Sequence, residues 1–110
     1  MIKKILAALL LFPTFIYAQI NTDRVMMIAR NALYFEDYVL SIQYFNQVIN
    51  AKPYLYEPYF FRGLAKINLD DYQGAEDDCD AAIDRNPFVV GAYQIRGLAR
   101  IKQNKYDGAI

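Results

Sequence analysis

Residues 59–75 run Tyr59-Phe60-Phe61-Arg62-Gly63-Leu64-Ala65-Lys66-Ile67-Asn68-Leu69-Asp70-Asp71-Tyr72-Gln73-Gly74-Ala75, and residues 93–109 run Tyr93-Gln94-Ile95-Arg96-Gly97-Leu98-Ala99-Arg100-Ile101-Lys102-Gln103-Asn104-Lys105-Tyr106-Asp107-Gly108-Ala109. The two stretches lie 34 residues apart and are identical at nine of seventeen positions, where unrelated segments of ordinary composition share about one. Moving back another 34 residues sets Tyr38 against Tyr72, Phe45 against Cys79, Val48 against Ala82, Ile49 against Ile83 and Pro53 against Pro87. One unit is therefore written twice in full, over 22–55 and 56–89, and a third time in part, over 90–110.

The period inside the unit is helical. Tyr59, Gly63 and Lys66 are spaced by four and three, and Tyr72, Ala75, Cys79 and Ala82 by threes and fours, so each set shares one helix face. Each unit then reads as a pair of helices, expected over 22–34, 37–51, 56–69, 72–85 and 90–103. Asp37 and Asp71 precede the second helices and offer a side-chain acceptor and a negative charge to their first turns. Pro53 and Pro87 end them, because Lys52 and Asn86 are steered out of the helical region. Gly63 and Gly97 each cost a helix about 1 kcal/mol relative to Ala, which implies that another backbone passes close at that phase. The expected core is Tyr38, Phe45, Val48, Ile49, Tyr59, Gly63, Tyr72, Ala75, Cys79, Ala82, Ile83, Tyr93 and Gly97. Arg62 is positioned to pair with an acid of its own second helix, such as Asp78, and Arg96 correspondingly.

These residues resemble the tetratricopeptide repeat, a 34-residue helix-turn-helix unit with an aromatic, a small residue, a Tyr, an Ala and a Pro at set offsets. Tyr59, Gly63, Tyr72, Ala75, Ala82 and Pro87 stand at those offsets, and the resemblance covers 22–110. Ala29 in place of Gly and Ser41 in place of Ala make the first unit the weakest match. The resemblance implies an all-α fold, a right-handed solenoid of tandem antiparallel helix pairs with two full repeats and a partial third. It implies a protein-interaction scaffold with no cofactor, and says little about which partner is bound. In this family the stripe about 100° round from the inward face of each first helix faces the concave groove. Here that stripe holds Met26, Arg30 and Leu33, then Phe60, Leu64 and Ile67, then Gln94, Leu98 and Ile101, with Met27, Phe61 and Ile95 beside them. The candidate binding residues are therefore Met26, Arg30, Phe60, Phe61, Leu64, Gln94, Ile95 and Leu98. The alternative is that several of them pack between neighbouring first helices. The groove lacks the Lys and Asn array with which some relatives clamp a peptide's terminal carboxylate.

Outside the repeats, Met1 to Lys4 form a short basic start and Ile5 to Phe12 are apolar throughout. This reads as a secretory signal over 1–18, cut after Ala18. The twelve residues Ile5 to Ile16 span about 18 Å as a helix, against about 30 Å of hydrocarbon, so a retained membrane anchor is the lesser alternative. Removal of the leader leaves 10 basic and 12 acidic residues over 92 positions. With no basic block, nucleic acid is not an expected partner. Absence of His removes most general-base and metal chemistry, and Cys79 has no partner for a disulfide in an oxidising compartment. Five aromatics between Tyr54 and Phe61 are expected to fill the junction of units one and two, with sugar stacking as the alternative. The seven acids between Asp70 and Asp84 do not match a calcium loop and read as a solvated face.

The function expected from these features is a non-catalytic, exported scaffold that binds a peptide segment of another protein, with membrane contact only through an uncleaved leader. The alternatives are an interaction module of a longer enzyme or assembly protein, and a glycan-binding relative. Ile110 falls early in the second helix of the third unit, expected to begin near Asn104 to Tyr106. Tyr93, Gly97 and Ile101 would then lack cover, and the chain reads as a fragment prone to self-association at its C-terminal end.

Overall fold

The computed structural model describes residues 21–107, with side chains through Asn104; the leader 1–18 and its cut site lie outside the described residues. Five helices follow one another: α1 over 21–34, α2 (Tyr38–Ala51), α3 (Glu57–Asn68), α4 (Tyr72–Arg85) and α5 (Val90–Asp107). No strand occurs among the described residues. α3 packs against α2, α4 and α5, and α4 against α5, so the tandem antiparallel pairs α1/α2 and α3/α4 are stacked in chain order with α5 opening a third.

The two turns inside the pairs are built alike. Glu36 and Asp70, 34 residues apart, adopt φ of 63° and 62°, in the left-handed region that closes helix ends. Such a non-glycine residue costs about 1–2 kcal/mol. The cost is offset as otherwise unpaired carbonyls find donors: Asp37 N–H donates to Ala32 O at 2.8 Å, and Asp71 N–H to Lys66 O at 2.9 Å. The next helix then packs back and holds the turn. Between pairs the stop is the X-Pro step, with Lys52 at φ −137° and Asn86 at φ −146°. Asp71 caps α4 by accepting from Gly74 N–H at 3.0 Å, whereas Asp37 makes no such bond to α2.

Small residues set the helix spacing. A Cβ on Gly63 would stand 3.3 Å from Asp78 Cβ and 3.4 Å from Ala75 O, which is the close approach expected there. Ala75, Cys79 and Ala82 are fully buried on the facing side of α4. Phe45 is the largest fully buried side chain and stacks on Phe61 at 5.9 Å between ring centroids, joining α2 to α3.

Several expectations are corrected. Tyr93 and Gly97 are not core positions: Tyr93 is 42% and Ile101 65% exposed, and nothing lies within 4 Å of where a Cβ on Gly97 would stand, which agrees with the lack of cover expected for this face of the partial third unit. Tyr38, Ile49, Tyr72 and Ile83 are half-buried, each at the margin of an inward stripe. The helix expected to stop near residue 103 runs on through Asp107. Among the five aromatics of the junction, Tyr54 is 68% exposed. The acidic run is not one solvated face, since Asp78 is buried at 3% exposure.

Cys79 has no solvent contact, and burial pushes its thiol up to about 11, with the charges of Asp78 and Asp80 adding to the effect. Because this acid's folded pKa is raised, its contribution to stability is complete below the unfolded value of about 8.5 and lost as pH rises toward 11. We expect the folded chain to resist alkylation at pH 8 at least about tenfold more than the urea-unfolded chain. Its stability should decline between about pH 9 and 11, a slope that Cys79→Ala removes. Alkylation of the folded chain at the unfolded rate would contradict the buried placement.

Candidate functional site

The candidate site lies where α1, the turn after it and α3 meet. Arg30 leaves α1 on the stripe predicted for the groove, and its guanidinium carbon sits 5.1 Å from the centroid of the Phe61 ring. The same ring stacks on buried Phe45 at 5.9 Å, and Phe60 tilts against it at 5.2 Å. Phe61 is therefore fixed in position before any ligand arrives.

Over this ring opens a cavity of about 380 Å³, lined by Arg30, Leu33, Tyr34, Glu36 and Tyr38 on one side and Phe61, Leu64 and Asn68 on the other. A second depression of about 470 Å³ runs along α1 past Asp23, Met26, Met27, Arg30, Asn31 and Tyr34. The two adjoin at Arg30 and Tyr34 and together make up a trough. Its walls are mostly apolar and aromatic. Arg30 stands between Asp23 near one end and Glu36 near the other, so the lining holds one cation and two anions, spread apart and close to balance.

The eight residues singled out from the sequence divide into three groups. Arg30, Phe61 and Leu64 line the cavity, and Met26 lines the adjoining depression. Phe60 and Ile95 instead pack against the cluster of Tyr59, Cys79, Ala82 and Ala92, as the alternative reading of the stripe held. Phe60 presses so closely on α5 that a Cβ on Gly91 would meet its ring at 2.9 Å. Gln94 and Leu98 are exposed on α5 and line neither depression. Sequence reasoning missed Tyr34, Glu36, Tyr38 and Asn68. Tyr34 and Asn68 close their first helices 34 residues apart, just before the turns, where a stripe counted along the helix no longer applies.

The platform beneath the site is held by ion pairs. Arg62 gives Nε and Nη2 to Asp78 at 2.8 and 2.6 Å, and Nη1 to Asn46 at 2.7 Å. Lys66 adds a second cation to Asp78 at 3.1 Å. The Asp78 carboxylate holds the Arg62 guanidinium above its ordinary value. Arg96, expected to pair within its own unit as Arg62 does, instead pairs with Asp80 of the preceding unit at 3.0 Å, and Arg100 pairs with Glu76 at 2.5 Å, which together with a bond from Gln103 lowers the Glu76 carboxyl. Among the described residues no group of three His, Cys, Asp or Glu side chains is placed to hold a metal, and no helix is long and apolar enough to cross a membrane.

Residues 56–88 match the sequence model of the tetratricopeptide repeat. No curated protein matches the chain in sequence. Among solved structures, the Arabidopsis OM64 TPR domain is similar at 22% identity and TM-score 0.76, over 82% of this chain and 74% of that one. The TPR2B-domain–pHsp70 complex of yeast Sti1 matches at 22% identity and TM-score 0.73, over 82% and 72%. MamA matches at 21% identity and TM-score 0.74, over 79% of this chain and 51% of that one. At such identities the likeness concerns the fold. The chain thus carries a match to the tetratricopeptide repeat over 56–88, and its described helices fold as a solenoid of tandem antiparallel helix pairs.

Proposed function

We propose that the chain is a non-catalytic scaffold of the cell envelope that holds an extended or short helical peptide segment of another protein in the trough between α1 and α3. The observation that carries this reading is the cavity of about 380 Å³ floored by a pre-positioned Phe61 and by Leu64, with Arg30 at its rim. That volume is at the lower end of ordinary ligand sites and suits one or two large apolar side chains. Arg30 offers guanidinium donors to a peptide's backbone carbonyls or to a carboxylate. With Asp23 and Glu36 close by, anchoring is by apolar side chains, so binding should depend little on salt. The solved complexes of the Sti1 domain with pHsp70 and of the RPAP3 repeat domain with an HSP90 peptide support a peptide as the class of ligand this fold accepts. Envelope placement rests on the basic-then-apolar leader over 1–18. The non-catalytic reading rests on the absence of His and on a buried, protonated Cys79.

Site-specific photo-crosslinking in cells tests both halves. A crosslinking residue at Leu64 should give a discrete protein adduct in the envelope fraction. The same residue at exposed Gln73, on α4, should give none. Adding Arg30→Ala and Tyr34→Ala should reduce the Leu64 adduct about tenfold, the loss of roughly 1.4 kcal/mol of binding, with helicity unchanged. Equal adducts at Leu64 and Gln73, or competition by glycans and not by peptides, would overturn the reading.

A further inference from the structure

We infer, on the reading that the trough between α1 and α3 is where a peptide binds, that it selects an extended segment in which one acidic residue stands beside a large apolar side chain and between two basic residues, with the acid taken by Arg30.

Arg30 differs from the arginines of the later helices. Arg62, Arg96 and Arg100 each give guanidinium nitrogens to a carboxylate, those of Asp78, Asp80 and Glu76, and Arg85 gives its own to the carbonyls of Pro53 and Ala81. Arg30 makes no hydrogen bond or ion pair with the described residues and is held instead by the Phe61 ring, whose centroid is 5.1 Å from the guanidinium carbon. A guanidinium set against an aromatic ring keeps its N–H fork open to other partners. Such a fork favours a carboxylate, which accepts two parallel N–H bonds and brings the opposite charge. Arg30 lines both depressions of the trough, so a carboxylate can reach it there.

The charges to either side narrow the choice. Asp23 and Arg30 stand seven residues apart on α1, about 10 Å along its axis, and Glu36 follows in the turn at the other end. Neither Asp23 nor Glu36 forms an ion pair with the described residues. Open charges therefore run negative, positive, negative along the trough. Three residues of extended peptide also span about 10 Å, so an acid at Arg30 brings its third neighbours toward Asp23 and Glu36. A base is attracted at those two places and an acid repelled, which disfavours a run of consecutive acids. The cavity of about 380 Å³ over Phe61 and Leu64, which Arg30 also lines, takes the apolar side chain next to the acid. That side chain supplies most of the affinity, and the charges supply the choice between segments.

The probes are end-blocked, dye-labelled peptides with a common apolar core: Lys-Ala-Phe-Glu-Leu-Ala-Lys, its isomer Lys-Ala-Phe-Lys-Leu-Ala-Glu, and the acidic Glu-Ala-Phe-Glu-Leu-Ala-Glu. Titrated into the whole chain at low salt and followed by fluorescence anisotropy, the first should bind about tenfold more tightly than either of the others. Raising the salt to about 0.5 M should narrow that gap to about threefold or less while all of them still bind. Arg30→Glu should erase the preference for the first peptide over its isomer, and Leu64→Glu should weaken every peptide. Equal binding of the peptides to the parent chain, a preference for the acidic one, or a preference that survives Arg30→Glu would overturn the inference and leave the trough as an apolar site. Absence of binding by any peptide, or binding indifferent to Leu64→Glu, would overturn the trough reading itself and the inference with it.

Discussion

Asp78→Ala lowers the stability of the chain by about 3–5 kcal/mol, because it leaves Arg62 and Lys66 facing a half-desolvated space with no counter-charge. The Asp78 side chain is 4% exposed and takes two charge-assisted bonds from Arg62, so it is the electrostatic centre of the α3/α4 pair. A small domain commonly has about 5–15 kcal/mol in all, so the variant should be close to unfolded at room temperature, read as lost helical circular dichroism. Removing both partners, with Arg62→Ala and Asp78→Ala together, should cost clearly less than the sum of the two single changes. Added salt should leave the native pair largely intact, since buried charges are poorly screened. A loss below about 1 kcal/mol for Asp78→Ala, typical of surface ion pairs, would show that the pair does not support the fold.

Phe45→Ala should cost about 3–5 kcal/mol, the range for emptying a buried aromatic site. Phe45 is fully buried and is the ring on which Phe61 stacks. Its loss opens the joint between α2 and α3, where no ion pair crosses to compensate among the described residues. Urea unfolding should show the midpoint fall with little change in slope, if the chain still unfolds as one unit. Phe45→Leu keeps most of the volume and should retain more than half of the lost stability. If Phe45→Ala stays within about 1 kcal/mol of the parent, the joint is held by something other than this stack.

Local chemistry explains which parts of the fold are legible in the sequence. α4 spans Tyr72–Arg85, the expected range, because both its ends are set by neighbours in the chain: Asp71 caps the start and Asn86-Pro87 stops the end. The Arg62–Asp78 pair was legible from helical phase alone. Asp78 burial was legible too, had its phase been weighed above its company, since Ala75, Asp78 and Ala82 share a face at steps of three and four. Tyr93 reads in two ways from the sequence, as core from its repeat position and as uncovered from the partial third unit, and the second agrees with its 42% exposure. Its identity with Tyr59 at the repeat position fixes its hydroxyl bond, but the exposure of its ring depends on a covering helix, and α4 covers only Tyr59. In the trough, phase found Arg30, Phe61 and Leu64. It missed Tyr34, Glu36 and Tyr38, which reach the same cavity by way of a turn whose left-handed residue breaks the helical count.

Phe61 meets Arg30 at the trough and stacks on Phe45 in the α2/α3 joint. One ring thus belongs both to the lining of a surface cavity and to the seam between successive units, so a substitution there that reshapes the cavity also disturbs the seam.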